Sequence, residues 1–161
     1  MKKNFKKGFT LIELVVAIAI LSSLFSIVML TLNLPEYKKK ARDSRRLADI
    51  TNLNIAIESY KLKKGVYPDN SDVTRISTTP VDPNTDIHSA LGGWIAEDMS
   101  DYLEKMYTDP INDSTYNYRY RHNSTDYELD VAMEFYTQKN TQDNGNNNNR
   151  FETGTDLTIL N

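Results

Sequence analysis

A run of 26 apolar-dominated residues, Phe9 to Leu34, constrains this chain more than any other feature. As a helix it would be about 39 Å long at 1.5 Å per residue, enough to cross a hydrocarbon core of about 30 Å. One acid, Glu13, interrupts it. A carboxylate at the centre of a membrane helix costs about 2.5–3.5 kcal/mol on insertion scales, so such a residue needs a partner or a reason. An ordinary secretory signal is the rival reading, because Ala17-Ile18-Ala19 has the small-x-small form of a signal-peptidase site and would give a mature end near Ile20. The apolar run continues well past Ala19, and Glu13 would break a short signal core, so a membrane anchor is the better fit. The chain has no cysteine, which excludes both lipoprotein anchoring and a disulfide staple.

A short basic leader, with Lys2, Lys3, Lys6 and Lys7, runs into Gly8 and then Phe9-Thr10-Leu11-Ile12-Glu13. This arrangement resembles the start of type IV prepilins, the family of pilus subunits and of type II secretion pseudopilins. The resemblance implies cleavage between Gly8 and Phe9 by a prepilin peptidase, and N-methylation of Phe9. Glu13 would be the fifth residue of the mature chain. There, as the resemblance implies, it would meet the N-terminal ammonium of a neighbouring subunit and set the register of assembly; a buried charge is tolerable when paired. Counting positive charges does not orient the helix, because Lys38, Lys39, Lys40, Arg42, Arg45 and Arg46 follow it. The cytoplasmic placement of the leader therefore comes from the resemblance. The implied partners are copies of itself and related pilins, the peptidase and methyltransferase, an inner-membrane assembly platform and membrane lipid.

Leu34-Pro35 should end or kink the first helix, because proline lacks an amide donor and disfavours helix at the residue before it. Beyond it, Leu47, Ile50, Leu53, Ile57 and Tyr60 recur at helical spacing and predict an amphipathic helix ending at Lys63 or Lys64, with Gly65 as its left-handed cap. Arg45 and Asp49 are spaced for an ion pair on this helix. The basic cluster Lys38–Arg46 could meet lipid phosphate or nucleic acid, but a solvated collar outside the membrane explains it as well. The domain plan is thus leader 1–8, apolar helix 9–34, amphipathic continuation 35–64, and a head 65–161.

The head is small and needs the amphipathic helix to complete its core. Residues 69–92 read as irregular connection, and Trp94, Ile95, Met99, Tyr102, Leu103 and Met106 predict a short helix from about Gly93 to Met106. Tyr116, Tyr118 and Tyr120 alternate with Asn117, Arg119 and Arg121. Tyr127, Leu129, Val131, Met133 and Phe135 alternate with Glu128, Asp130, Ala132 and Glu134. Period two predicts two strands with one face on the core, joined by a polar turn His122–Asp126. Arg119 and Arg121 would then face outward beside Glu128 and Asp130, which favours cross-strand pairing over DNA contact. Phe151 and Leu157–Leu160 are candidates for a closing strand. The fold class expected is α+β, with a long N-terminal helix packed on a small antiparallel sheet; the resemblance implies the pilin-like version of it.

Chemistry finds little support. His88 and His122, the two histidines, sit in polar segments, and no nucleophile or phosphate-holding glycine loop is recognisable. The Asn-rich loop 140–150 supplies weak oxygen ligands, Asp143, Asn144 and Asn146, but with one carboxylate in the run calcium is disfavoured. No cofactor is expected. Loss of the leader would leave 15 basic against 22 acidic residues, so the mature chain is acidic. The chain therefore reads as a structural subunit of a type IV pilus-like filament: a single-pass cytoplasmic-membrane protein with its head outside, then part of a surface or periplasmic filament. The alternatives are a type II secretion pseudopilin or a membrane-anchored binding protein that never polymerises.

Overall fold

The computed structural model describes residues 8–31 and 33–160. Residues 1–7, which carry the expected basic leader, lie outside that range. Two compact units divide near Tyr37. In the first, helix α1 covers Leu11–Thr31. Helix α2 covers Leu34–Lys64, and the sheet comprises β1 (Arg75–Ile76), β2 (Tyr118–His122), β3 (Tyr127–Val131) and β4 (Phe151–Gly154).

The end of the apolar run is a helix start as well as a stop. Asn33 Oδ1 accepts the Glu36 amide at 3.4 Å, and Asn33 Nδ2 donates to Glu36 Oε2 at 3.0 Å, the spacing of an N-terminal capping box. Pro35 falls in the first turn, where its missing amide has no helical acceptor to lose. At the other end Gly65 takes φ +80° and its amide reaches the Lys61 carbonyl at 2.8 Å, closing α2 as expected.

The sheet is a four-stranded antiparallel meander in chain order, β1-β2-β3-β4. Ile50, Leu53, Ile57 and Tyr60 of α2 join one core with Tyr118, Tyr120, Tyr127, Leu129 and Val131 of the sheet. The core is rich in tyrosine, and each strand tyrosine keeps its hydroxyl satisfied. Tyr118 donates to Asp49 at 2.9 Å, Tyr120 to the Pro68 carbonyl at 3.0 Å, and Tyr127 to Asn54. A buried phenol is tolerated when its polar tip finds a partner.

Four expectations are corrected. Residues 93–106 are not a helix but a chain of turns, although Trp94, Ile95, Met99 and Met106 are all buried. Side chains there compete for the backbone: Asp98 accepts the Ser100 amide at 2.9 Å, and Trp94 Nε1 donates to the Tyr107 carbonyl at 2.9 Å. Secondly, β3 stops at Val131 because the Asp43 carboxylate of α2 takes the amides of Glu134, Phe135 and Tyr136 at 2.8–3.0 Å. Thirdly, the second face of β3 is not solvated: Glu128 and Asp130 are fully buried. Segment 140–150 and the C-terminal residues supply contacts on that face, and the closing strand comprises Phe151–Gly154 alone. Finally, His122 belongs to β2 and is buried, its ring nitrogens 2.8 and 3.0 Å from the carbonyls of Asn123 and Asp69.

Candidate functional site at the N-terminal helix

Gly8 and Phe9 precede α1 outside regular structure and are exposed. Nothing lies within 4 Å of where a Gly8 side chain would begin, and Phe9 is 82 % exposed. Thr10 is the helix N-cap. Its hydroxyl donates to Glu13 Oε2 at 2.7 Å, its amide reaches the same oxygen at 2.9 Å, and the Glu13 amide returns to the Thr10 hydroxyl at 3.3 Å. This is a reciprocal capping box, Thr-x-x-Glu before an apolar run, and it was legible in the sequence although assembly chemistry drew attention to Glu13 alone. The carboxylate is thus held at the positive end of the helix dipole, close to the Phe9 backbone, by groups of its own chain. That placement offsets the cost of an acid at the head of an apolar helix without removing it from reach of another cation.

The rest of α1 has one consistent character. Its apolar side chains, from Leu11 to Met29, are exposed, and Leu11–Met29 is long and apolar enough to cross a membrane. Its serine hydroxyls are satisfied inside the helix: Ser22 donates to the Ile18 carbonyl at 2.7 Å, Ser23 to the Ile20 carbonyl at 2.8 Å, and Ser26 to the Ser22 carbonyl at 2.9 Å. None of these three hydroxyls therefore has to be buried unpaired when lipid or another helix covers this surface.

In the second unit the basic cluster divides. Lys38 and Lys39 are exposed, as a collar would be, whereas Arg46 is fully buried. Arg46 Nε and Nη2 grip Asp109 at 2.5 and 2.9 Å, and Nη1 donates to Asp43 at 2.7 Å and Glu134 at 2.6 Å. Arg42 joins through Glu134, and the Tyr116 ring lies 4.9 Å from the Arg46 guanidinium. Burial works against the Arg46 charge, but the carboxylates of Asp109, Glu134 and Asp43 outweigh it and raise its pKa. Hydrogen bonding from Arg42, then from Arg46, holds Glu134 below the usual carboxylate range. The buried stripe of α2 therefore begins at Asp43, about one turn before Leu47, the first apolar residue that marked it in the sequence. The Asp43-x-x-Arg46 spacing was the available signal.

On the hairpin, Arg119 lies opposite Asp130 and pairs with it, as the alternation predicts. Arg121 lies opposite Glu128 but points to Asp72 at 3.6 Å. Of the weak calcium ligands, Asp143 spends its carboxylate on the amides of Gly145 at 3.0 Å and Glu152 at 2.7 Å, while Asn144 takes φ +66°. Among the described residues no group of three acids, histidines or cysteines could hold a metal ion.

A family model described as the prokaryotic N-terminal methylation motif matches residues 3–30. The type II secretion system core protein G of Vibrio cholerae is 39 % identical over 85 residues, covering 52 % of this chain and 57 % of the relative. Its counterpart in Aeromonas hydrophila is 41 % identical over 68 residues, covering 42 % and 46 %. That of Escherichia coli K12 is 40 % identical over 63 residues, covering 39 % and 42 %. The chain spans about half the length of the curated relatives it matches. No solved structure matches at comparable stringency.

Proposed function

We propose that this chain, whose N-terminal segment carries the prepilin methylation motif, is a structural subunit of a type IV pilus-like filament and not an enzyme. The observation that carries the reading is α1: an apolar helix exposed along its length, preceded by Gly8-Phe9 and bearing one carboxylate four residues after Phe9. Such a surface must be covered, first by lipid and then by equivalent helices of other subunits. A peptidase cutting between Gly8 and Phe9 would leave an ammonium on Phe9, with methylation preserving its charge. Glu13 of one subunit would then pair with the ammonium of another, exchanging its own Thr10 contacts for a charge-assisted bond. Pairing of this kind is costly to break in an apolar surround, so it fixes axial register rather than adding much net stability. The inner-membrane platform, the periplasmic or surface destination and the contribution of related pilins belong to the same proposal.

Within this class the secretion pseudopilus is the second reading. The relatives reported above bear the name of type II secretion core protein G, and each matches over more residues than the methylation motif occupies.

The test is mass spectrometry of the mature N-terminus in a sheared surface fraction, with Glu13→Ala beside the wild type. Expected is a chain beginning with N-methyl-Phe9, and a variant that is processed as well as the wild type but recovered in filaments at a tenth or less. A mature end near Ile20, or filaments of Glu13→Ala at wild-type levels, would sink the cleavage or the pairing respectively.

A further inference from the structure

Where α2 ends, a pocket of about 370 Å³ opens between the chain after Gly65, the turn following β2 and the segment 93–106. Val66, Tyr67, Asp69, Glu97, His122 and Ser124 are among its walls. Two of its polar side chains are tied up within the chain. The Asp69 carboxylate takes Arg75 at 2.6 and 2.8 Å, the Asn70 amide at 2.6 Å and the Ala96 amide at 2.8 Å. Both ring nitrogens of His122 lie against backbone carbonyls. Glu97 differs. Its carboxylate is half-buried and accepts the Tyr60 hydroxyl at 3.1 Å, but among the described residues it pairs with no cation. The nearby lysines are engaged elsewhere: Lys63 with Asp101 at 2.6 Å, Lys61 over the Tyr67 ring at 4.5 Å, and Lys64 with the charge of Asp98. An acid held partly out of water, in a pocket at the negative end of a helix, calls for a cation.

The complementary charge stands at the other end of the same helix. Within the basic cluster, Arg42 and Arg46 are drawn into the network around Glu134 and Asp109. Arg45 lies 3.4 Å from Asp49, and Lys40 lies 4.3 Å from the centre of the Phe135 ring. Lys38 and Lys39 are exposed, and among the described residues neither forms an ion pair. They cannot serve the pocket of their own chain, because α2 sets Lys39 about 38 Å from Lys64 at 1.5 Å per residue. A lysine of one copy in the pocket of another is a heterologous contact, the kind that repeats without closing and builds an open helical filament.

We propose that the Glu97 pocket receives the ammonium of Lys38 or Lys39 from a second copy of this chain, and so fixes how successive heads stack. The contact rests on the filament reading above and adds to it a pairing outside the apolar helix. Lysine suits the site: a compact ammonium with three donors on a long stem can reach the carboxylate while its methylenes lie along Val66, which is 59 % exposed. One ion pair at a surface adds little stability. Partly desolvated and repeated at every subunit, it selects the register of stacking more than it raises affinity.

Filament yield in the sheared surface fraction, from full-length chains carrying charge swaps, tests it. Glu97→Lys alone should lower the yield about tenfold, and Lys38→Glu with Lys39→Glu should do the same, because each sets like charges against one another. All three changes in one chain should restore most of the yield. Glu97→Gln keeps an acceptor for Tyr60, should also lower the yield, and serves if Glu97→Lys folds poorly. The chain has no cysteine, so Lys39→Cys combined with Ser124→Cys can be bridged by a bis-maleimide about as long as a lysine side chain. A ladder of multimers of this chain is expected, which neither single cysteine variant gives. Wild-type yield from Glu97→Lys or Glu97→Gln, a triple swap no better than its parents, or cross-links to a different protein in place of the ladder would each overturn the contact. A wild type that forms no filament would overturn the filament reading itself, and the contact with it.

Discussion

Arg46 shows how a single side chain can be decisive without touching any functional surface. It sits at zero exposure among Asp109, Asp43 and Glu134, although the sequence places it in a basic cluster that suits a solvated collar or a phosphate contact. Removing one partner of a buried ionic cluster strands the others, at a cost of about 3–5 kcal/mol. Arg46→Ala should therefore lower the thermal midpoint of the full chain steeply. Arg46→Lys should recover little, because the bidentate grip on Asp109 needs a planar fork. The pH dependence has a definite sign. Glu134 is held below its ordinary value of 4.5, so its contribution is full above that value and is lost as pH falls through the lower folded-state value. A pH titration of stability should show acid loss in the wild type, and Arg46→Ala should lose part of it. An Arg46→Ala melt and acid profile matching the wild type would refute the network's role.

At the scale of elements, backbone geometry separates two glycines that look alike in the sequence. Gly65 closes α2 at φ +80° with open space where a side chain would sit, so Gly65→Ala should cost about 1 kcal/mol from the backbone alone. Gly154 ends β4 at φ +151°, with the Tyr127 carbonyl 2.2 Å from a would-be Cβ. Gly154→Ala must push β4 off β3 as well, and should cost visibly more in a urea titration; equal effects would mean that the strand yields. Legibility also varied by element. The amphipathic stripe and the Gly65 cap of α2 were readable because helical period and cap chemistry are local. The segment 93–106 was misread because its apolar spacing mimics a helix, while Asp98 and the Trp94 indole tie up groups a helix would need.

At the scale of the whole molecule, among the described residues the unit beginning at Lys38 contains the core and the four strands, and the large apolar side chains of α1 are exposed. A chain starting at Lys38 should be soluble and melt cooperatively, even though a head of this size is marginal. A truncated head that aggregates or lacks a cooperative transition would show that α1 is needed for folding. In the proposed function, processing and assembly fall to the first unit and the second is the head.

By itself the sequence determined the apolar helix, the acid at its head, the class of the head and the Arg119–Asp130 pair across the hairpin, though not the turn of Arg121 to Asp72. All of these follow from spacing along one stretch of chain, where period, cap and charge interact over a few residues. The tertiary structure alone decided which charges are buried. Arg46 meets Asp109 and Glu134 across 63 and 88 residues of chain, and Glu128 is sealed by residues 31 and 32 positions away. No local pattern distinguishes a polar face left in water from one covered by a distant loop, because burial depends on segments that meet only once the chain has folded.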